Sequence, residues 1–290
     1  MDALLLISFG GPEGPEDVMP FLENVTRGRN VPRERLEEVA EHYYLFGGVS
    51  PINELCRELK EAVEKLVDVP VYWGNRNWPP YLEDTVARMK ADGVRSAAAF
   101  VTSAYSGYSS SGQYLEDIAR ARAAVPDAPE ITKLPVYCLE PGFIEPFVEN
   151  TRAALAQAPG ARLVFTAHSV PLSQQGWEDY VRELKEVARR VHDASGSERP
   201  YDLVYQSRSG PPSQPWLEPD VCDHLELLHE EGVDSVVLVP IGFVSDHMEV
   251  KFDLDVEARQ VADKLGMALV RASTPGVALA PLARDLFERA

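Results

Sequence analysis

Short apolar runs alternate along the chain with longer segments in which apolar residues recur every three or four positions. This alternation predicts parallel strands connected by amphipathic helices, which is an α/β fold. The predicted strands are 4–9, 71–73, 97–101, 133–137, 163–167, 204–206, 236–240 and 269–271. The predicted helices are 33–44, 52–67, 81–92, 143–158, 175–194 and 246–265.

The two halves of the chain have similar patterns. Segments 3–9 and 162–168 each read as a strand that runs into a loop with a proline three residues further on. In both halves, a helix end, a glycine and a second buried strand follow in the same order. We therefore predict two similar domains, residues 1–142 and 143–290.

Composition narrows the class of protein. Of the residues 45% are hydrophobic and 26% are charged, as in soluble globular proteins. The net charge of −18 argues against nucleic acid and anionic membranes as partners. No apolar run approaches the roughly 20 residues that span a bilayer. The three cysteines, Cys56, Cys138 and Cys222, are far apart, which favours reduced thiols in a cytoplasmic protein.

Ligands of parallel α/β sheets bind beyond the carboxyl ends of the strands. His168 lies at such an end, in a loop that contains Pro171. Its imidazole can accept a proton near neutral pH or bind a metal. The alternative is a histidine that is simply hydrogen-bonded at a strand end.

Three carboxylates, Glu249, Asp253 and Glu257, are spaced to lie on one face of a predicted helix. Like charges at this spacing cost about 0.2–0.5 kcal/mol per pair, so a bound cation would stabilise them. Alternatively, Asp246 and Glu249 form a capping box, and the other two carboxylates are solvated surface groups.

A basic turn precedes the first predicted helix, 33–44. Arg27 and Arg29 flank a glycine in this turn, and guanidinium groups suit carboxylate binding. The alternative is a solvated basic turn. The pair Gly47-Gly48 lies downstream of Tyr43 but lacks the spacing of a phosphate-binding loop, which excludes a nucleotide site there.

Four of these segments together resemble one family over nearly the whole chain. Segments 8–12, 47–52, 165–171 and 240–249 are similar to the motifs of ferrochelatases, in the same order. Residues 206–207, 215–217 and 219–220 match a further signature. Within the family, the chain is most similar to the high-GC bacterial branch that uses coproporphyrin III, and segment 74–78 also fits this branch.

The resemblance implies two flavodoxin-like (Rossmann-type) domains with a porphyrin in the cleft between them, and no organic cofactor. It implies that His168 is the catalytic base and that Glu249 is the catalytic glutamate across the ring, with both able to hold the metal. Asp253 and Glu257 match a metal or proton track. The residues implied near the substrate propionates are Ser50, Tyr114, Tyr43, Arg27 and Arg29.

The chain departs from the family pattern at two positions. Phe9 stands where many coproporphyrin-type relatives have a tyrosine that can bind iron, and Ala104 stands where some have a histidine. An iron–sulfur cluster is not expected, because the relatives that carry one have cysteines near the C-terminus and none follows Cys222 here.

The expected activity is insertion of Fe²⁺ into coproporphyrin III in haem biosynthesis, a lyase reaction, with iron as substrate. Neutral His168 would take the two pyrrole protons. The alternatives are a protoporphyrin IX ferrochelatase, a cobalt chelatase, and a non-catalytic carrier of tetrapyrrole or metal. We also expect a monomer that does not insert into membranes and hands its product transiently to the next enzyme of the pathway.

Overall fold

The computed structural model describes residues 1–210 and 213–290, and its eight strands form two four-stranded parallel sheets. The strands are β1 Ala3–Ser8, β2 Val71–Asn75, β3 Ser96–Val101, β4 Glu130–Lys133, β5 Arg162–His168, β6 Tyr201–Gln206, β7 Ser235–Val239 and β8 Ala268–Arg271. The sheet orders are β2-β1-β3-β4 and β6-β5-β7-β8. Both follow the 2-1-3-4 order of flavodoxin-like sheets, which confirms the predicted α/β class and the similarity of the two halves.

Helices connect the strands and cover the sheets. They are α1 Pro15–Val25, α2 Arg33–Tyr44, α3 Ile52–Glu64, α4 Leu82–Ala91, α5 Gln113–Ala124, α6 Pro141–Gln157, α7 Trp177–Ser195, α8 Val221–Glu230, α9 Met248–Phe252, α10 Arg259–Leu265 and α11 Ala280–Glu288. Two π-helical turns, Tyr108–Gly112 and Asp253–Ala258, precede α5 and α10, and a 3₁₀ turn, Gly276–Leu279, precedes α11. No helix of the described residues combines the length and hydropathy that a membrane crossing requires.

Side-chain alternation along β1 explains the layering. Leu4 and Leu6 pack into a large core that also contains Leu163 and Phe165 of β5 and so joins the two halves. Leu5 and Ile7 point to the opposite face, where α4 and α5 cover them. A matching core lies under α8 and α10 on the second sheet.

The C-terminal helix crosses between the halves. Helix α11 packs against α3 and α6, although its sequence follows the second sheet. The division into residues 1–142 and 143–290 therefore remains a prediction.

One predicted strand is misplaced. The fourth strand is Glu130–Lys133 rather than 133–137. Leu134 still donates to the carbonyl of Ala99, but Pro135 then offers no N–H, and the next turn bonds to Ala104 instead.

The hydrophobic periodicity did not predict four of the helices, namely α1, α5, α8 and α11. Helix α1 begins at Pro15 and contains Pro20, which weakens its helical signal. The predicted helix 246–265 also differs, because it begins at Met248 and widens into the π turn Asp253–Ala258.

Candidate active site

His168 is the last residue of β5, and its ring has a fixed orientation. Ring atom Nδ1 contacts the carbonyl oxygen of Ser169. Since a carbonyl only accepts hydrogen bonds, Nδ1 carries a hydrogen and Nε2 faces away from the backbone. Ser169 is itself held at 2.8 Å by two bonds, from its backbone N–H to the Gln206 carbonyl and from its hydroxyl to the Leu217 carbonyl.

Glu249, the second residue of α9, faces His168. Its Oε2 lies 3.5 Å from His168 Nε2, and the side chains are 49% and 34% exposed, respectively. A flat ring lying between two groups needs about 7 Å, twice a van der Waals contact of about 3.5 Å. The two groups therefore act from one side in this conformation, and the expected placement of Glu249 across the ring from His168 is wrong for it.

The capping interpretation of Glu249 is also wrong. The N-terminal cap of α9 is His247, whose Nδ1 accepts a hydrogen bond from the backbone N–H of Glu249 at 3.2 Å. Asp246 instead accepts bonds from Arg271 and Thr274. The Glu249 carboxylate is thus free of a capping role.

The two charges stabilise one another. Burial lowers the pKa of His168, but the Glu249 carboxylate outweighs it and raises that pKa to about 9. Burial raises the pKa of Glu249, but His168 outweighs it and lowers that pKa to about 2. At neutral pH this mutual effect favours an imidazolium and a carboxylate in the resting pair.

Asp253 extends the site along the π turn. It accepts hydrogen bonds from the hydroxyl of Ser207 and, at 3.3 Å, from Nε2 of Gln206. Burial and the nearby Glu249 and Glu257 raise its pKa to about 7, against the opposing effect of these hydrogen bonds. Asp253 can therefore gain or lose a proton near neutral pH, and Glu257 beyond it is exposed.

An arginine fixes the segment that contains Glu249 and Asp253. Arg271, at the end of β8, contacts the carboxylate of Asp246 at 2.9 Å and that of Asp255 at 2.5 Å. These aspartates flank Glu249 and Asp253 in sequence. The bridge fixes both the loop before α9 and the π turn after it.

The first half of the chain contributes aromatic rings. Phe9 follows β1 and is 37% exposed, with its ring 6.3 Å from that of Phe21. Tyr43 packs on the same Phe21 at 5.9 Å. Burial and the charge of Glu249 both raise the pKa of Tyr43, which therefore lies within electrostatic reach of the His168–Glu249 pair.

The other predicted substrate contacts are spread around the first half. Arg27 and Arg29 are exposed, and within the described residues neither guanidinium makes a hydrogen bond or an ion pair. Ser50 is buried beside Gly11. Tyr114 is buried in the core under α4 and α5, with Arg76 over its ring at 5.7 Å. The structure thus brings His168, Glu249, Asp253 and Tyr43 together but covers Ser50 and Tyr114.

Sequence reasoning assigned no role in the site to His247, Gln206, Ser207 or Arg271. Gln206 and Ser207 had a signal in the family signature at 206–207, and His247 had one because a polar residue directly before a helix is a candidate cap. Arg271 depends on contacts that are distant in sequence. Across 1–210 and 213–290, no group of three or more histidine, cysteine or acidic side chains is placed to hold a metal.

The sequence is similar to one family over nearly the whole chain. A family model described as ferrochelatase matches residues 1–280. Coproporphyrin III ferrochelatases of Mycobacterium ulcerans and Nocardia farcinica are each 58% identical, over 99% and 95% of this chain and 86% and 84% of their own lengths.

Solved structures show a shared fold at low identity. SirB from Bacillus subtilis with Fe³⁺ has a TM-score of 0.62 at 12% identity, covering 100% of this chain and 94% of its own. CbiX, the terminal enzyme for siroheme biosynthesis in denitrifying bacteria, has a TM-score of 0.54 at 13% identity, covering 100% and 97%.

Proposed function

Because the chain belongs to the ferrochelatase family, we propose that it inserts Fe²⁺ into coproporphyrin III to give iron coproporphyrin in haem biosynthesis. The observation that carries the proposal is the His168–Glu249 pair, a base and a metal-binding oxygen 3.5 Å apart at the end of β5. The names of the relatives at 58% identity support this porphyrin. Iron is the substrate, and the reaction uses no organic cofactor and no iron–sulfur cluster.

Metal insertion releases two pyrrole protons, and His168 accepts them one at a time at Nε2, passing the first on before it takes the second. The resting imidazolium must first lose its own proton. Fe²⁺ bound at Glu249 cancels the attraction that raises the pKa of His168 and adds a positive charge beside the ring. Both effects lower that pKa, so the arrival of iron produces the neutral base.

Asp253 receives these protons and passes them outwards. With a pKa of about 7, its carboxyl group is partly ionised at neutral pH and exchanges protons readily. Glu257 leads from Asp253 to the solvent. The same carboxylates, next to Glu249, attract the incoming cation.

The substrate carboxylates bind in the first half. Arg27 and Arg29 are exposed guanidinium groups suited to bidentate contacts with propionates, and Tyr43 lies nearer the reacting pair. Ser50 and Tyr114 join this set once substrate shifts the packing that covers them. Coproporphyrin III has four propionates and protoporphyrin IX has two, so the arginines favour the former.

Steady-state metal insertion with each porphyrin and with iron, cobalt and zinc tests the proposal. We expect iron insertion into coproporphyrin III to have the highest kcat/KM. Arg27→Gln and Arg29→Gln should raise KM for coproporphyrin III, while Arg33→Gln, which removes a surface ion pair with Glu37, serves as the matched control.

Other outcomes assign other functions. Equal or faster turnover of protoporphyrin IX would contradict the choice of substrate, and faster cobalt insertion would contradict the choice of metal. Tight tetrapyrrole binding without turnover would identify a carrier. Light scattering tests the accompanying proposal of a cytoplasmic monomer, and product transfer to the next pathway enzyme tests the transient hand-over.

A further inference from the structure

Each catalytic segment has a backbone carbonyl that is held by a buried tyrosine. The hydroxyl of Tyr180 donates to the carbonyl oxygen of His168 at 3.1 Å. The hydroxyl of Tyr105 donates to the carbonyl oxygen of Ile241 at 2.7 Å. Ile241 opens the loop that leads from β7 to Glu249, so each tyrosine fixes one side of the reacting pair.

The two tyrosines also contact each other. Their ring centroids are 5.7 Å apart, with an interplanar angle of 84°, which is an edge-to-face pair. Tyr105 is 2% exposed and Tyr180 is 4% exposed. Tyr105 comes from the loop after β3 in the first half, whereas Tyr180 belongs to α7 in the second half. The pair therefore connects the halves beneath the reacting groups.

A buried carboxylate holds the loop that carries Tyr105. Glu183 lies three residues after Tyr180 on α7, on the same side of the helix, and is 8% exposed. It accepts a hydrogen bond from the backbone N–H of Ser106 at 2.7 Å and another from the Ser106 hydroxyl at 2.5 Å. The position of Tyr105 is thus set by α7, the helix that also supplies Tyr180.

We propose that Tyr105 and Tyr180 are positioning residues that set the distance between the His168 imidazole and the Glu249 carboxylate. Both hydroxyls are buried and donate to backbone carbonyls, so they act through the backbones of the two catalytic segments. This role rests on the function proposed above. A displacement of about 1 Å at a reacting group can cost about 100-fold in rate, so small backbone shifts here have large effects.

Tyr105→Phe and Tyr180→Phe test the proposal, because each removes one hydroxyl and keeps the ring. Tyr137→Phe is the matched control. Tyr137 is also 2% exposed, and its hydroxyl donates to the Val101 carbonyl at 2.8 Å, but it touches neither catalytic segment. All three variants lose one buried hydrogen bond, so thermal unfolding should shift by similar amounts.

The readouts are kcat and KM for iron insertion into coproporphyrin III, and the NMR shifts of the His168 ring in the free protein at one fixed pH. We expect kcat to fall about 10-fold in Tyr105→Phe and Tyr180→Phe with KM unchanged, and the His168 shifts to move. Tyr137→Phe should change neither. Equal effects in all three variants, or wild-type kcat and shifts in the first two, would overturn the proposal.

The NMR arm separates this proposal from the proposed function. If the wild-type protein inserts no iron but the His168 shifts still move in the Tyr105 and Tyr180 variants alone, the proposed function fails and the positioning role stands. If the wild-type protein inserts iron, and the Tyr105 and Tyr180 variants do so at the same rate with unmoved His168 shifts, the proposed function stands and the positioning role fails.

Discussion

The first strands of the two sheets end at residues of opposite chemical character, one apolar and one ionisable. Strands β1 and β5 occupy the same place in sheets of the same order, yet Phe9 follows β1 while His168 closes β5. Phe9 offers a partly exposed apolar ring, and His168 offers an imidazole paired with Glu249. The repeated scaffold therefore fixes where a functional residue can stand, while the chemistry belongs to one half alone.

The π turns show the same contrast. The turn Tyr108–Gly112 contains tyrosine, serine and glycine, whereas Asp253–Ala258 contains three carboxylates, at 253, 255 and 257. A wide helical turn at a comparable place thus presents a neutral surface in one half and an acidic one in the other. We infer that the first half is the wall for the porphyrin and the second half handles the cation and the protons.

The largest expected effect comes from replacing the residue at one of the two strand ends with alanine. His168→Ala should lower kcat about 1,000-fold with porphyrin binding largely intact, because a base is lost and little packing goes with it. Phe9→Ala, the matched change at the other strand end, should alter KM more than kcat. Steady-state iron insertion measures both. Activity of His168→Ala within a few-fold of wild type would disprove its role as base.

Glu249→Gln should lower kcat/KM for iron about 100-fold, since an amide is a far weaker ligand than a carboxylate. Glu249→Ala should do the same. Both variants should lower the melting temperature by similar amounts, because each loses the ion pair with His168 while His247 still supplies the cap. Turnover that survives in the glutamine variant, with loss of stability alone in the alanine variant, would restore the capping interpretation.

Asp253→Asn should change how stability depends on pH. The folded-state pKa of about 7 lies above the ordinary value of 3.8, so the folded protein binds more protons and loses stability as pH rises between these values. The Asp253→Asn variant has no carboxyl group at this position, so it lacks this loss of stability. Its free energy of unfolding relative to wild type should therefore rise by about 1 kcal/mol or more from pH 5 to pH 8, as measured by urea unfolding. A constant difference over this range would show that Asp253 has an ordinary pKa.

The smallest expected effect concerns the absorption spectrum of the product complex and the role of Phe9. Phenylalanine has no atom that binds iron, so the complex with iron coproporphyrin should lack a tyrosinate-to-iron charge-transfer band. Phe9→Tyr should introduce this band and slow product release. A tyrosinate band in the unmodified protein would contradict the prediction and point to Tyr43, which is within electrostatic reach of Glu249.

Hydrophobic periodicity was sufficient for most of the scaffold. Buried strands and long amphipathic helices such as α2 carry local signals, and the predicted and observed bounds of α2 agree at 33–44. The signal failed where proline interrupts the pattern, as in α1, and where a run of small polar residues directly precedes the helix, as before α5. It also placed β4 too late, because Tyr137 and Cys138 after Pro135 face the core without joining the sheet.

The site was only partly predictable. His168 and Glu249 stand out by position and motif, but their contact distance and shared charge depend on how β5 and α9 approach each other. The same is true of Asp253, whose raised pKa comes from burial by residues that are distant in sequence. The tyrosine pair beneath them consists of ordinary core residues in the sequence pattern, since only the fold brings Tyr105 to Ile241.

The central claim is that Glu249 holds His168 as an imidazolium in the free protein. NMR titration of the histidine rings tests it directly, with His168 assigned through the His168→Ala variant. The account predicts a midpoint of about 9 for His168, which drops towards about 6.5 in Glu249→Gln. Burial lowers the pKa of His247, so in the same spectra its midpoint should lie below the ordinary value for histidine. A wild-type midpoint for His168 at or below about 6.5, unchanged by Glu249→Gln, would contradict the account.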